Sequence, residues 1–153
     1  MNTSKHIVTS TNWNFTSQKE RWYSSDQVID AYLKGKNEGL EQGQKLILEQ
    51  LIRNLSKTGN HTSEIIQFLN ASNFHPISAF LKINSWDDFG ILIVLPESEF
   101  IAPSIIDVYD FISEFENRIT EEFYNVHIQF CCASEQINEK SIESDGFVLK
   151  HIH

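Results

Sequence analysis

The 153-residue chain carries 21 acidic and 12 basic side chains, giving a formal net charge of -9 with its six histidines neutral, and 41% of it is hydrophobic. With 22% charged residues, six glycines and three prolines, the composition is that of an ordinary globular protein, which excludes disordered, collagen-like and low-complexity chains. A chain of this length buries roughly 70% of the surface it exposes when unfolded, enough for one core or a core with a helical appendage, so no disulfide framework is needed.

Charge is distributed unevenly. Residues 1–83 hold 9 Lys/Arg and 7 Asp/Glu, whereas residues 84–153 hold 3 and 14, so the two parts carry +2 and -11. A domain that acidic repels phosphate backbones, which argues against nucleic acid as a partner and leaves either a solubilising surface or attraction of a basic protein. Cys131 and Cys132 are sequence neighbours that a strand would point to opposite sides, so they are expected as free thiols. Free thiols, no charged and apolar leader and no apolar run of about 18 residues predict a cytoplasmic protein that does not enter a membrane.

Along the chain, Ser24-Ser25-Asp26 offers an N-cap, and Gln27 to Leu55 runs without proline, predicting one long helix. Its row of small residues at a spacing of four is Ala31, Gly35, Gly39 and Gly43. Each interior glycine costs about 1 kcal/mol against alanine, so the row implies either close approach of another helix or chain, including a homodimer through this stripe, or a break near Lys34 to Gly43. Lys57-Thr58-Gly59-Asn60 reads as a turn, followed by a short helix over Ile65 to Leu69, and the pair as a small helical hairpin. That second helix carries no basic residue, unlike a DNA-reading one.

His75-Pro76 marks the boundary between a helical segment, 1–74, and an α+β domain, 75–153. Ile77 to Ile83 reads as a first strand, Asn84 to Asp88 as a polar turn, and Phe89 to Leu95 as a central strand covered on both faces because it is apolar throughout. Ser104 to Asp107 has the pattern of a capping box, and the helix running to about Phe123 places Ile105, Val108, Ile112, Phe115 and Ile119 on one face. Asn125 to Cys132 then reads as a strand, Ile137 to Ser144 as a short helix and Phe147 to His153 as a last strand. The order is β-β-α-β-α-β.

Few residues have the pattern of a reactive site. Asp87 and Asp88 precede the central strand, where carboxylates can hold a divalent cation or a polar substrate or simply make a turn. His127 lies in an alternating strand, and His151 and His153, two residues apart, could share a zinc ion. Cys131, Cys132, Ser98 and Ser104 lack a base and an orienting acid, and Pro96-Glu97-Ser98-Glu99 is acidic where a phosphate loop would need amides and positive charge.

The stretch Asp88-Phe89-Gly90-Ile91-Leu92-Ile93-Val94, the acidic loop and amphipathic helix after it, the strand Val126-His127-Ile128-Gln129 and the closing Glu143-Ser144-Asp145-Gly146-Phe147-Val148-Leu149 together resemble the core of small bacterial nucleotidyltransferases, over about residues 77–151. In that family a Gly-Ser turn and two Asp one residue apart bind metal and triphosphate, with a third carboxylate from a later strand. Asp88 matches the first Asp, Gly90 stands at the second, His127 stands at the third carboxylate, and the Gly-Ser turn has no counterpart. Two-metal phosphoryl transfer needs several clustered oxygen ligands. The resemblance therefore implies a nucleotidyltransferase-like mixed sheet with covering helices, with a ferredoxin-like sandwich as the alternative fold. Its site is degenerate at the metal positions.

The expected function is a non-catalytic binding or regulatory protein that uses no cofactor and reaches a protein partner, or a second copy, through the N-terminal helix. The alternative is a metal-dependent nucleotidyltransferase acting on a small molecule or protein, with magnesium and a nucleoside triphosphate at Asp87 and Asp88.

Overall fold

The computed structural model describes residues 13–15, 42–134 and 137–151. The elements are strand β1 (Trp13–Phe15), helix α1 (Gln42–Ala71), strands β2 (Ser78–Ser85) and β3 (Asp88–Leu95), helices α2 (Glu97–Phe100) and α3 (Ile105–Ile119), strand β4 (Asn125–Cys132), helix α4 (Glu139–Ser144) and strand β5 (Leu149–His151). The protein is α+β, a long helix followed by a five-stranded mixed sheet with helices. The strand order is β1-β5-β2-β3-β4. Only β3 and β4 run parallel, because α2 and α3 carry the chain across between them, and every other neighbour pair is antiparallel. That parallel pair and the fifth strand are foreign to the antiparallel sandwich expected as the alternative.

Helix α1 forms because its apolar residues repeat at helical spacing. Leu51, Leu55, Ile65 and Leu69 meet Leu81, Ile91 and Ile93 of the sheet and Val108, Ile112 and Phe115 of α3 in one continuous core. Its end is a Schellman cap: Asn73 takes φ 68°, a left-handed conformation that Asn tolerates, and Phe74 N–H donates to Leu69 O at 2.8 Å. Asn73 N–H donates to Asn70 O at 3.2 Å, and Phe74 and Leu69 are both buried in the core, completing the motif.

The expected turn over Lys57 to Asn60, and with it the helical hairpin, is absent: these residues lie inside α1. Tertiary contacts override the local signal. Thr58 is buried, donates its hydroxyl to Leu55 O at 2.9 Å and accepts from Trp13 Nε1 at 3.1 Å. The carbonyl of Gly59 meets His151 Nε2 of β5 at 3.3 Å. The helix expected from Gln27 falls largely outside the described residues, as do Ala31, Gly35 and Gly39. Gly43 is described, and nothing among the described residues comes within 4 Å of the position its Cβ would take.

Further differences concern helix and strand ends. Ser104 makes no side-chain cap, because it already has helical dihedrals in the turn after Pro103, and the capping box lies instead between Asn138 and Ser141 of α4. Helix α3 ends at Ile119 rather than near Phe123, as Thr120 turns extended, and its buried face is Ile105, Val108, Ile112, Phe115 and Ile119, as the sequence pattern predicts. Gly146, at φ 102°, swings Phe147 over the sheet, so the last strand starts at Leu149 instead of Phe147.

Alternation divides the sheet into two faces. One face is sealed by α1 and α3. On the other, Phe80, Leu92, Val94, Ile142 and Phe147 form a smaller cluster beneath α4. From Phe89 to Leu95 every residue of β3 is buried, in keeping with a strand covered on both sides.

Candidate functional site

The β2–β3 hairpin and the parallel β3–β4 ladder position the acids picked out in the sequence. Asp87 lies in the turn, where its Oδ1 accepts from Ser85 Oγ at 2.7 Å while its backbone carbonyl accepts from Asn125 N–H at 2.8 Å. Asp88 opens β3, and the register that sets Gly90 opposite His127 brings His127 Nε2 to 3.1 Å from Asp88 Oδ1. The structure thus brings Asp88 and His127 together and engages Asp87 locally, in the turn. The pair is a close charge contact rather than a directed hydrogen bond, since Asp88 Oδ1 is covered yet has no hydrogen-bond partner. With 66% of the histidine side chain and 37% of the aspartate exposed, its contribution to stability is at most about 1 kcal/mol.

Gly90, a buried position, stands where a second carboxylate would be expected. A Cβ there would make ordinary van der Waals contact with the Phe147 ring at 3.7 Å and with Lys82 Cβ at 3.9 Å, so an acid at this position would be set against an aromatic ring. Among the described residues no three His, Cys, Asp or Glu side chains come together as a metal site. On the same face, a shallow groove of about 200 Å³ runs beneath α4 beside Phe80, Val94 and Ile142, smaller than the roughly 300–1,000 Å³ typical of ligand pockets.

His151 is a core residue. It is 4% exposed, sits edge-on to Trp13 with ring centroids 5.1 Å apart, and reaches Gly59 O and Ser63 Oγ with Nε2, each at 3.3 Å. A carbonyl only accepts, so this contact places a proton on Nε2; His153, the other member of the expected histidine pair, lies outside the described residues. Cys131 and Cys132 are free, and burial, reinforced by the neighbouring Cys132, raises the Cys131 thiol above its ordinary range, which disfavours the thiolate.

Two polar arrangements without a recognisable sequence motif stand on the opposite face. Asn54 is fully buried on α1 and donates both amide hydrogens, to Trp86 O and to Phe123 O, each at 2.9 Å, while its Oδ1 accepts from Gln50 Nε2. It ties the β2–β3 turn and the α3–β4 connection to one helix. Near it, His61 Nδ1 lies 2.8 Å from the hydroxyl of Tyr124, a fully buried residue. Burial, with a smaller effect of Glu121, pushes the Tyr124 phenol far above its ordinary value, so it keeps its proton. Burial also lowers His61 below its usual value; Lys57 and Arg118 act in the same direction and Glu64 and Glu121 against it. Lys57 pairs with Glu121 at 2.7 Å and stands 5.1 Å over the Tyr124 ring. The Tyr124 hydroxyl faces no solvent, so the arrangement acts as a latch between α1 and the start of β4. A polar residue inside an apolar helical stripe, as Asn54 is between Leu51 and Leu55, was the one available sequence signal.

Comparison of the chain with family models, with curated proteins and with solved structures gives no match. Function is argued from the residues alone.

Proposed function

We propose that this chain is a non-catalytic binding or regulatory protein whose sheet domain is a nucleotidyltransferase-like unit with a degenerate site. The observation that carries the reading is Gly90 against Phe147: the position that would supply the second carboxylate is a buried glycine beside an aromatic ring, and Asp88 is left beside a histidine. A hard divalent cation takes oxygen ligands at roughly 2.0–2.6 Å and needs several of them, so one carboxylate next to His127 is a poor donor set for magnesium and a triphosphate. The hairpin followed by a helical crossover to a parallel strand supports the architectural part of the proposal. In the same reading, the N-terminal helix region with Ala31, Gly35, Gly39 and Gly43 is the surface for a protein partner or a second copy. A monomeric mass by light scattering at micromolar concentration removes the homodimer.

Thermal unfolding with millimolar magnesium or manganese and each nucleoside triphosphate tests the degenerate site, because a ligand that prefers the folded state raises stability by mass action. The expected result is no shift. A concentration-dependent rise that disappears in Asp88→Ala would overturn the proposal in favour of a metal-dependent transferase.

A further inference from the structure

Strand β4 ends the sheet, and among the described residues no strand pairs with its outer side. In a parallel ladder alternate residues turn their backbone groups toward the neighbour and away from it. Asn125 N–H donates to Asp87 O and Ala133 N–H to Leu95 O, so Val126, Ile128, Phe130 and Cys132 direct their N–H and C=O groups outward. An eight-residue edge of this kind normally carries lysine, glutamate or proline to prevent strand addition, yet Asn125–Cys132 (NVHIQFCC) contains no Pro, Lys, Arg, Asp or Glu. Among the described residues, Glu116 reaches it from α3 and accepts the outward Ile128 N–H with Oε2 at 2.7 Å, in the place a strand carbonyl would occupy.

The neighbourhood of that carboxylate identifies the occupant. One helical turn and two turns before Glu116, the same side of α3 carries Ser113 and Tyr109, and Tyr109, 43% exposed, packs against Phe130 with ring centroids 6.0 Å apart. Residues 105–124 hold six carboxylates and a single basic side chain, Arg118, whose guanidinium lies over the Phe115 ring. A second copy docking edge to edge would set two such acidic flanks against one another. We infer that the outer edge of β4 is a strand-addition site for an extended basic segment of a partner protein, whose main chain pairs with Val126 to Cys132, whose apolar residues contact Tyr109 and whose Lys or Arg residues meet Glu116 and its acidic neighbours. The site is separate from the Asp88 face, so the nucleotide experiment neither supports nor weakens it.

The probe is a fluorescent, end-capped octapeptide alternating Val and Lys, matched in length to β4 and titrated by anisotropy against the full chain. Two controls accompany it: an alternating Val and Glu octapeptide, and the Val-Lys peptide N-methylated at every second residue in each of the two phases, which keeps the charge and removes main-chain donors. The expected result is saturable binding of the Val-Lys peptide, at least about tenfold weaker binding of the Val-Glu peptide, and loss of binding for the methylated form whose blocked amides face β4, while the form methylated in the other phase, which keeps those donors, still binds. Phe130→Pro, which removes an outward N–H and leaves the ladder to β3, is expected to weaken the Val-Lys peptide by about tenfold. No binding of the Val-Lys peptide, equal binding of the Val-Glu peptide, or binding indifferent to N-methylation would each overturn the proposal without recourse to a protein variant. So would a dimer in light scattering that Phe130→Pro abolishes, because the edge would then belong to a second copy.

Discussion

Replacing Asn54 with leucine, close to it in volume, removes the clamp that joins α1 to two connections of the sheet domain. The amide makes two bonds of 2.9 Å to main-chain carbonyls and accepts a third from Gln50. A typical bond contributes about 1 kcal/mol net, and a carbonyl left covered without a partner costs about 1–3 kcal/mol. Trp86 is half-buried and Phe123 is 47% exposed, so water replaces part of what is lost there, and Asn54→Leu should destabilise by about 2–4 kcal/mol. Against a total stability of about 5–15 kcal/mol this is a large change, equal to a fall in Tm of roughly 4–16 °C for a chain of this size. Urea unfolding measures it as a lower midpoint at unchanged slope. Amide exchange locates it, with faster exchange confined to residues 84–88 and 120–125. Gln50→Ala, which removes only the half-buried partner, should cost about 0.5 kcal/mol or less. If Asn54→Leu stays within about 0.5 kcal/mol of the parent and exchange around Trp86 and Phe123 is unaltered, the clamp does not exist.

His61 supplies a pH dependence. Its folded pKa lies below the 6.5 of the unfolded chain, so the unfolded state takes up its proton first, and the stability it contributes is full above about pH 6.5 and declines as pH falls through that value toward the folded pKa. His61→Gln, which cannot titrate in this range, should flatten urea midpoints measured between pH 7.5 and pH 5, near which histidines change charge; an unchanged slope would locate the titration elsewhere. Asp88→Asn should alter stability by less than about 1 kcal/mol in urea unfolding, as expected of an exposed pair, and a larger loss would make the contact with His127 structural. Gly90→Asp should destabilise by about 1–3 kcal/mol because it sets a carboxylate at a buried position beside the Phe147 ring, and manganese should not restore the loss; metal-dependent recovery would argue that the site can be completed.

Most of the sheet domain was legible because its signals are local and agree with one another. The apolar run Phe89 to Leu95, the repeat Ile105, Val108, Ile112, Phe115, Ile119 and the alternation of Asn125 to Cys132 each state a period, and the burial follows it. The helix through Lys57 to Asn60 was not legible, since a Gly-Asn pair reads as a turn wherever it stands. What holds it helical is Trp13 and His151 on strands 45 and 92 residues away along the chain. The same separation hid the latch of His61 and Tyr124, 63 residues apart, and the clamp at Asn54, whose partners are main-chain carbonyls without a residue signature. Asp88 and His127 could be picked out singly, but their contact depends on parallel register, which no local pattern carries.

The two ends of the sheet are treated unequally, and the inequality bears on function. At one end β1 is held by the indole of Trp13, whose N–H bonds Thr58 and whose ring meets His151. At the other end β4 is eight residues long, contains no Lys, Arg, Asp or Glu, and among the described residues is capped at one outward amide by the Glu116 carboxylate. A fold that secures its inner face with Asn54 and the His61–Tyr124 latch has the means to secure this edge as well, and a single lysine on β4 would suffice. Glu116 meets this strand directly and belongs to a segment, residues 105–124, with six carboxylates, so the same acidity that repels nucleic acid favours a basic chain. If a basic strand docks there, Glu116 must leave Ile128 for a cation, so Glu116→Gln should weaken binding of the Val-Lys peptide and reduce its salt dependence. Undiminished binding at low salt would show that the acidic flank does not select the partner.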